Sequence, residues 1–280
     1  MRVAWATDIH LDFLADPQVL DFAATLTASS PDAVVLSGDL SHAEQLEHHL
    51  RLLASAISCP IYFVLGNHDY YGSSIAAVRQ AVAELGARKP RLRWLPAHGV
   101  VTLSEKTAMV GVDGWADSRL GDAEHTPVIL NDFIHIEDLV ATLDPLVRAT
   151  PALLRSTDRS QLHTKLRALG DDEAARCREL LAPALASHEH VLVVTHVPPF
   201  AAACWHDGEL SDDKWLPYFS CAAVGEVLRD LAITHPHRTL TVLCGHTHGA
   251  GEAQIEANLR VLTGGAVYRH PHLQQLLELA

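Results

Sequence analysis

The chain has 280 residues, 48% of them hydrophobic and 20% charged, the balance of a globular protein with one large domain or two small ones. Its formal net charge of −13 gives no electrostatic footprint for coating nucleic acid or an anionic lipid surface. The same charge repels a phosphorylated substrate at long range, so any such substrate requires a local positive centre.

Taken in chain order, the first half alternates between two periods. "RVAWATD" is a short apolar run, followed by helical spacing in "PQVLDFAATLTAS". "DAVVLSGD" and "PIYFVLGNHD" repeat the run, each followed by a helical stretch, "AEQLEHHLRLLASAI" and then "SSIAAVRQAVAELG", which Gly86 closes. Strands alternating with helices predict βαβ units and a mostly parallel sheet, and runs apolar on both faces predict strands covered on both sides. From Arg91, "RLRWLPA", "GVVTLSE" and "TAMVGVDGW" read as short antiparallel strands, the start of a second sheet. Residues 115–187 are rich in helix formers and read as three helices, "DFIHIEDLVATLDPLVRAT", "RSQLHTKLRALG" and "DEAARCRELLAPALASH", forming a helical insertion or cap within a single 1–280 domain. Strands return in "HVLVVTH" and "TLTVLCGHTHG", joined through the helix "AAVGEVLRDLAI", and "ANLRVLTGGA" ends the sheet. The scattered cysteines, Cys59, Cys177, Cys204, Cys221 and Cys244, form no CxxC pair and read as reduced, buried thiols of a cytoplasmic protein. No segment reaches the ~18 apolar residues of a membrane span, and the N-terminus does not read as a signal peptide.

The ends of five runs carry polar groups of one kind. They are Asp8 and His10, then Asp39, then Asn67, His68 and Asp69, then His196, then His246 and His248, and no other run ends this way. In a sheet of parallel strands such ends converge on one edge. Asp8 and Asp39 are then like charges brought together, which is costly unless cations lie between them. Imidazole, carboxylate and amide oxygen suit divalent metals such as Zn, Mn or Fe. Seven candidate ligands exceed the needs of one ion, whereas two ions sharing a carboxylate use them and create the missing positive centre. Two-metal sites of ~3.5–4 Å spacing serve in-line phosphoryl displacement.

"DIH" at 8–10, "GD" at 38–39, "GNHD" at 66–69, "TH" at 195–196 and "GHTH" at 245–248, in this order, resemble the calcineurin-like metallophosphoesterases. The resemblance implies an α/β fold, a four-layer α/β/β/α sandwich of two mixed sheets. It implies one metal on Asp8, His10 and His248, another on Asn67, His196 and His246, and Asp39 bridging them. It further implies in-line attack of a metal-bound hydroxide, with His68 stabilising the transition state or protonating the leaving oxygen and Asp69 orienting His68. The two divalent ions are Mn, Fe, Zn or Ni.

The likeness has departures. Protein Ser/Thr phosphatases of this superfamily carry "GDxVDRG", whose Arg binds phosphate; "GDLSHAE" places His42 and Ala43 there, against a protein-phosphatase role. Purple acid phosphatases match "GDLS" but lack the His of "DxH" that stands here as His10. His42 reads as an outer-sphere or surface group. Tyr70 and Tyr71 line the pocket entrance or pack at a turn before the next helix. The Pro-rich loop after His196 offers His206 and Lys214 to a substrate, and Arg119 is a candidate phosphate clamp. Few lysines lie near the motifs, which favours a phosphodiester over a monoester dianion; a phosphomonoesterase on a small metabolite or nucleotide, or a non-catalytic metal-binding module, are the alternatives. The partners expected are a small phosphate ester, with no nucleic-acid surface and no membrane.

Overall fold

A computed structural model describes residues 1–279. In chain order the strands are β1 (Arg2–Ala6), β2 (Ala33–Ser37), β3 (Ile61–Val64), β4 (Leu92–Trp94), β5 (Val101–Thr102), β6 (Thr107–Gly111), β7 (His190–Val194), β8 (Trp205–His206), β9 (Glu209–Leu210), β10 (Thr239–Cys244), β11 (Gly251–Glu256), β12 (Leu259–Thr263) and β13 (Gln275–Glu278). One sheet has the order β13-β1-β2-β3-β4 and a second the order β11-β12-β10-β7-β6-β5, while β8 and β9 form a separate hairpin. Both sheets are mixed. In the first, β1 to β4 run parallel and β13 is antiparallel to β1. In the second, β6, β7, β10 and β12 run parallel, with β5 and β11 antiparallel at the edges.

The two-residue period of a strand explains the layering. Val3 and Trp5 of β1, Val35 of β2 and Val64 of β3 face Leu192 and Val194 of β7 and Leu243 of β10, a core held between the sheets. The alternate residues, Ala4 and Ala6, Val34 and Leu36, Ile61 and Phe63, turn outward to the helices Asp16–Thr27, Ala43–Ala56 and Ile75–Arg88. Val191, Val193, Leu240 and Val242 face the opposite helical layer, formed by Ala222–Thr234 and the second half of Ser160–Ser187. The result is the four-layer α/β/β/α sandwich of two mixed sheets. Local chemistry starts the helices: Gln18 accepts from the Ala15 amide at 3.0 Å, and the Ser74 hydroxyl accepts from the Ala77 amide at 3.3 Å.

Several elements differ from the sequence reading. "RLRW" does not join an antiparallel stretch but pairs parallel to β3; only β5 and β6 form the hairpin. The first helix expected in 115–187 is broken into Asp132–His135, Glu137–Val140 and Pro145–Ala149, and the other two merge into one helix, Ser160–Ser187. Leu139, Val147, Leu154, Leu162 and Leu166 continue the core of the first helical layer, so the segment packs against that layer. "GEAQIE" forms β11, and the chain ends as β13 on the first sheet rather than stopping at β12.

Gly170 shows why the long helix is continuous. A Cβ there would meet the Asp117 Cβ at 2.6 Å, so the glycine admits close packing of another segment instead of ending the helix. Asp117 is fixed, accepting from the Ala223 amide at 2.9 Å. Gly→Ala inside a helix ordinarily stabilises by up to about 1 kcal/mol. Gly170→Ala should instead lower the chemical-denaturation midpoint, with a net stability loss of up to ~2 kcal/mol, because an overpacking cost of ~1–3 kcal/mol outweighs the propensity gain.

Candidate metal centre

The groups singled out from the sequence come together. Asp8, Asp39 and Asn67 follow β1, β2 and β3 of the first sheet; His196 and His246 follow β7 and β10 of the second. The site therefore straddles the adjoining ends of both sheets. Of the nine non-glycine residues with positive φ among the described residues, five are Asp8, His10, Asp39, His246 and His248. Such backbone clusters where geometry is dictated by a site rather than by local preference. Close approach adds its own demand: a Cβ on Gly245 would collide with Oδ2 of Asp8.

On one side, Nε2 of His248 lies 3.4 Å from Oδ1 of Asp8 and 3.2 Å from Nε2 of His10, which is 3.8 Å from Oδ2 of Asp39. Donor atoms of these four residues lie within 4.8 Å of one another. On the other side, the Asn67 Nδ2 donates to Asp132 at 2.8 Å, which turns its Oδ1 toward Nε2 of His196 at 3.0 Å and Nδ1 of His246 at 2.9 Å. The outer nitrogens of these rings face carbonyls that only accept: Nδ1 of His196 donates to Ser37 at 2.9 Å, and Nε2 of His246 to Tyr218 at 2.8 Å. The inner nitrogen of the neutral His246 ring is then a bare lone pair pointed at the Asn67 oxygen, and Oδ1 of Asp39 lies 3.3 Å from Nε2 of His196. Converging acceptors of this kind fit a cation.

The charge balance among the chain's own residues tells the same story. Burial works against a charged His196, yet the Asp39 carboxylate bonded to it raises the ring to about 10. A proton there stands in for a cation. Burial and the neighbouring His196 push His246 down. Burial lowers His10 to about 4, against the pull of Asp39, leaving a neutral ring with a free lone pair.

His68 faces the cavity above the site, its ring stacked on Tyr71 at 4.3 Å, with Nε2 4.0 Å from Oδ2 of Asp39. Asp69 does not orient that ring as expected. Its Oδ1 accepts from the Leu40 and Ser41 amides at 2.9 Å each, and its Oδ2 from the Gly66 amide at 2.7 Å. Nδ1 of His68 has no hydrogen-bond partner. Asp69 ties the turn after β2 to the turn after β3 and so places His68 through the backbone.

Other candidates separate. His206 and Tyr71 line the cavity, which holds about 270 Å³. Arg119 is not a phosphate clamp: it is paired with Asp117 at 3.0 Å and Asp171 at 2.7 Å, and it does not line the cavity. His42 lies 3.4 Å from Asp12, outside both ligand sets. Lys214 is exposed and not among the lining residues. Four of the five cysteines are buried and all five are unpaired.

Three important residues were missed. Asp132 accepts from both Asn67 and Tyr71, the latter at 2.6 Å. Tyr268 lies with its ring 4.6 Å from that of His10. Asp113 also sits at a strand end, so the five ends named above were not all; the signal was present in "VGVDG". It accepts from the Leu65 amide at 2.9 Å, Trp94 Nε1 at 2.8 Å and Tyr70 at 2.9 Å, and pairs with Arg79 at 3.1 Å. Arg79 also reaches Glu173 at 2.5 Å. This buried network fixes the approach to Asn67 from behind.

A family model described as calcineurin-like phosphoesterase matches residues 1–250. The chain belongs to the calcineurin-like phosphoesterase family. Solved structures agree in fold. A phosphopantetheinyl hydrolase of Mycobacterium tuberculosis is 16% identical, over 94% of this chain and 89% of its own, with a TM-score of 0.60. A dimetal phosphatase of Danio rerio is 14% identical, over 95% and 87%, at 0.56. A Thermus thermophilus protein, TT1561, is 16% identical, over 94% and 88%, at 0.52. Comparison with curated proteins finds no match. Membership makes this chain a metal-dependent phosphoester hydrolase.

Two expectations follow. Asp132→Ala frees the Asn67 amide, and calorimetric Mn²⁺ titration should show one of two binding events weakened by about 10–100-fold. Burial and Asp113 push the Glu173 carboxyl from 4.5 up to about 7, against the opposing pull of Arg79. The folded state thus holds the proton more tightly than the unfolded chain. The stability this contributes is complete below pH 4.5 and is lost as pH rises through about 7. Denaturation midpoints measured across that window should fall in the wild type and stay flatter in Glu173→Gln.

Proposed function

We propose that this hydrolase acts on phosphodiesters of small molecules, using two divalent cations held by Asp8, His10 and His248 on one side, Asn67, His196 and His246 on the other, and Asp39 between them. The observation that carries the diester preference is the charge of the cavity wall. No lysine or arginine lines it, and the lining carboxylates are Asp39 and Asp132. The permanent positive charge therefore resides at the base, and the wall offers only the titratable rings of His68 and His206. A diester carries one negative charge and needs no more than that base supplies, whereas the second charge of a monoester dianion finds no lysine or arginine beside it.

When bound, the cations lower the pKa of water and neutralise charge developing at phosphorus. The chain's own residues do the rest. His68, stacked on Tyr71 and facing the cavity, delivers a proton to the leaving oxygen. Asp69 holds that ring's backbone in place, and Asp132 and Tyr218 aim Asn67 and His246 inward. The nitrogen and oxygen donor set accommodates manganese, iron, zinc or nickel. No helix among the described residues is long and apolar enough to cross a membrane, and the unpaired thiols support a reducing, cytoplasmic setting.

With Mn²⁺ present, kcat/KM for bis(p-nitrophenyl) phosphate should exceed that for p-nitrophenyl phosphate by about tenfold. Asp39→Asn should cost about 10²-fold or more, and His68→Ala about 10²–10⁴-fold. A faster monoester reverses the preference. Neither ester turning over above the Asp39→Asn background sinks the catalytic assignment.

A further inference from the structure

The cavity is walled by aromatic rings, and one of them is held open. Trp215 and Phe219 stack on each other at 4.9 Å with 25° between their planes, and Tyr71 is covered by His68. Tyr268 has no such cover among the described residues. His248 and Phe13 make T-shaped contacts with it at 5.0 and 5.2 Å, and His10 and His68 lie tilted at 41°, with centroids at 4.6 and 6.5 Å. The Tyr268 residue remains 43% exposed, beside the exposed Val267 and Phe13.

This exposure belongs to a braced loop. The Ala266 amide donates to the carbonyl of His248 at 3.0 Å, and the Gln274 side chain bonds both ways with Gly265, at 2.6 and 3.0 Å. The Gln274 amide donates to Trp5 at 2.8 Å, tying the loop to β1. A rigid tyrosine face costs little further ordering when it receives a ligand.

We propose that Tyr268 is a specificity-determining residue, seating a planar, uncharged aromatic group carried by the phosphate ester; the inference rests on the phosphoester reading above. The chemistry of the surroundings selects that class. An anionic group finds no lysine or arginine in the wall. A cationic group is opposed by the divalent ions that His10 and His248 hold, one ring away from Tyr268. A volume of about 270 Å³ has room for a phosphoryl group with one compact ring. A flat face answers a flat face, and aromatic pairs gain beyond the area that they bury.

Phosphonates test the seat without turnover, because the carbon–phosphorus bond is not cleaved. Calorimetry on the Mn²⁺-loaded protein should show phenylphosphonate binding about five- to tenfold more tightly than cyclohexylphosphonate, which has similar size but no flat π-face. Tyr268→Leu should bring the two within about twofold of each other, Tyr268→Phe should keep the difference, and both should leave binding of inorganic phosphate unchanged. Equal binding of the two phosphonates by the wild type overturns the proposal. So does a Tyr268→Leu protein that loses inorganic phosphate as well, since the ring then merely props His10 and His248. A preserved phenyl preference in a protein that hydrolyses no diester supports the seat and removes the diester reading instead.

Discussion

The carboxylate of Asp39 sends Oδ2 toward His10 and His68 and Oδ1 toward His196 and the His68 amide. Both ligand sets meet on this one residue, and the backbone around it is bent to make them meet. Left-handed backbone costs a non-glycine residue roughly 1–2 kcal/mol, so these five strained residues together approach the net stability of a whole domain. Two buried carboxylates and several facing lone pairs add to that cost. Such an arrangement survives only because the surrounding structure over-determines it and because a cation, or in its absence a proton on His196, resolves the charge.

The over-determination comes from carboxylates that are not themselves ligands. Asp69 locks two turns together through three backbone amides; Asp113 collects Leu65, Trp94, Tyr70 and Arg79; Asp132 fixes Asn67 and Tyr71. Each is buried and each accepts at least two hydrogen bonds, with donors drawn from remote parts of the chain, which is the condition under which a buried polar group rigidifies rather than destabilises. The inner ligands can keep their strained geometry because this outer ring removes the alternatives.

The parts of this design legible in the sequence are those whose physics is local. Runs apolar on both faces announced β1, β2, β3, β7 and β10, and the polar residues just beyond them are the ones that the fold brings together. The residues that escaped are those whose role exists only across the fold. Asp132 lies 65 residues from the asparagine it aims, in a stretch that reads as an ordinary helix start. Gly170 resembled a helix end because its reason, the nearby Asp117, is remote in the chain. Arg119 resembled an anion clamp until its partners, Asp117 and Asp171, were in place. β13 escaped because the strand it joins, β1, lies at the opposite end of the sequence.

The same division bears on how substrate is chosen. The ligands stand on the ends of braced strands, whereas the walls come from segments near Leu130, Trp215 and Tyr268, each from a different loop or short helix. A chain of net charge −13 whose cavity carries acidic, aromatic and histidine groups, but no lysine or arginine, has little attraction of its own for a phosphate. Attraction has to arise at the base and selection at the walls. Electrostatics then makes substrate binding conditional on metal loading, while the rings decide which esters profit from it. The two properties rest on different residues, so the walls can change without disturbing the geometry around Asp39.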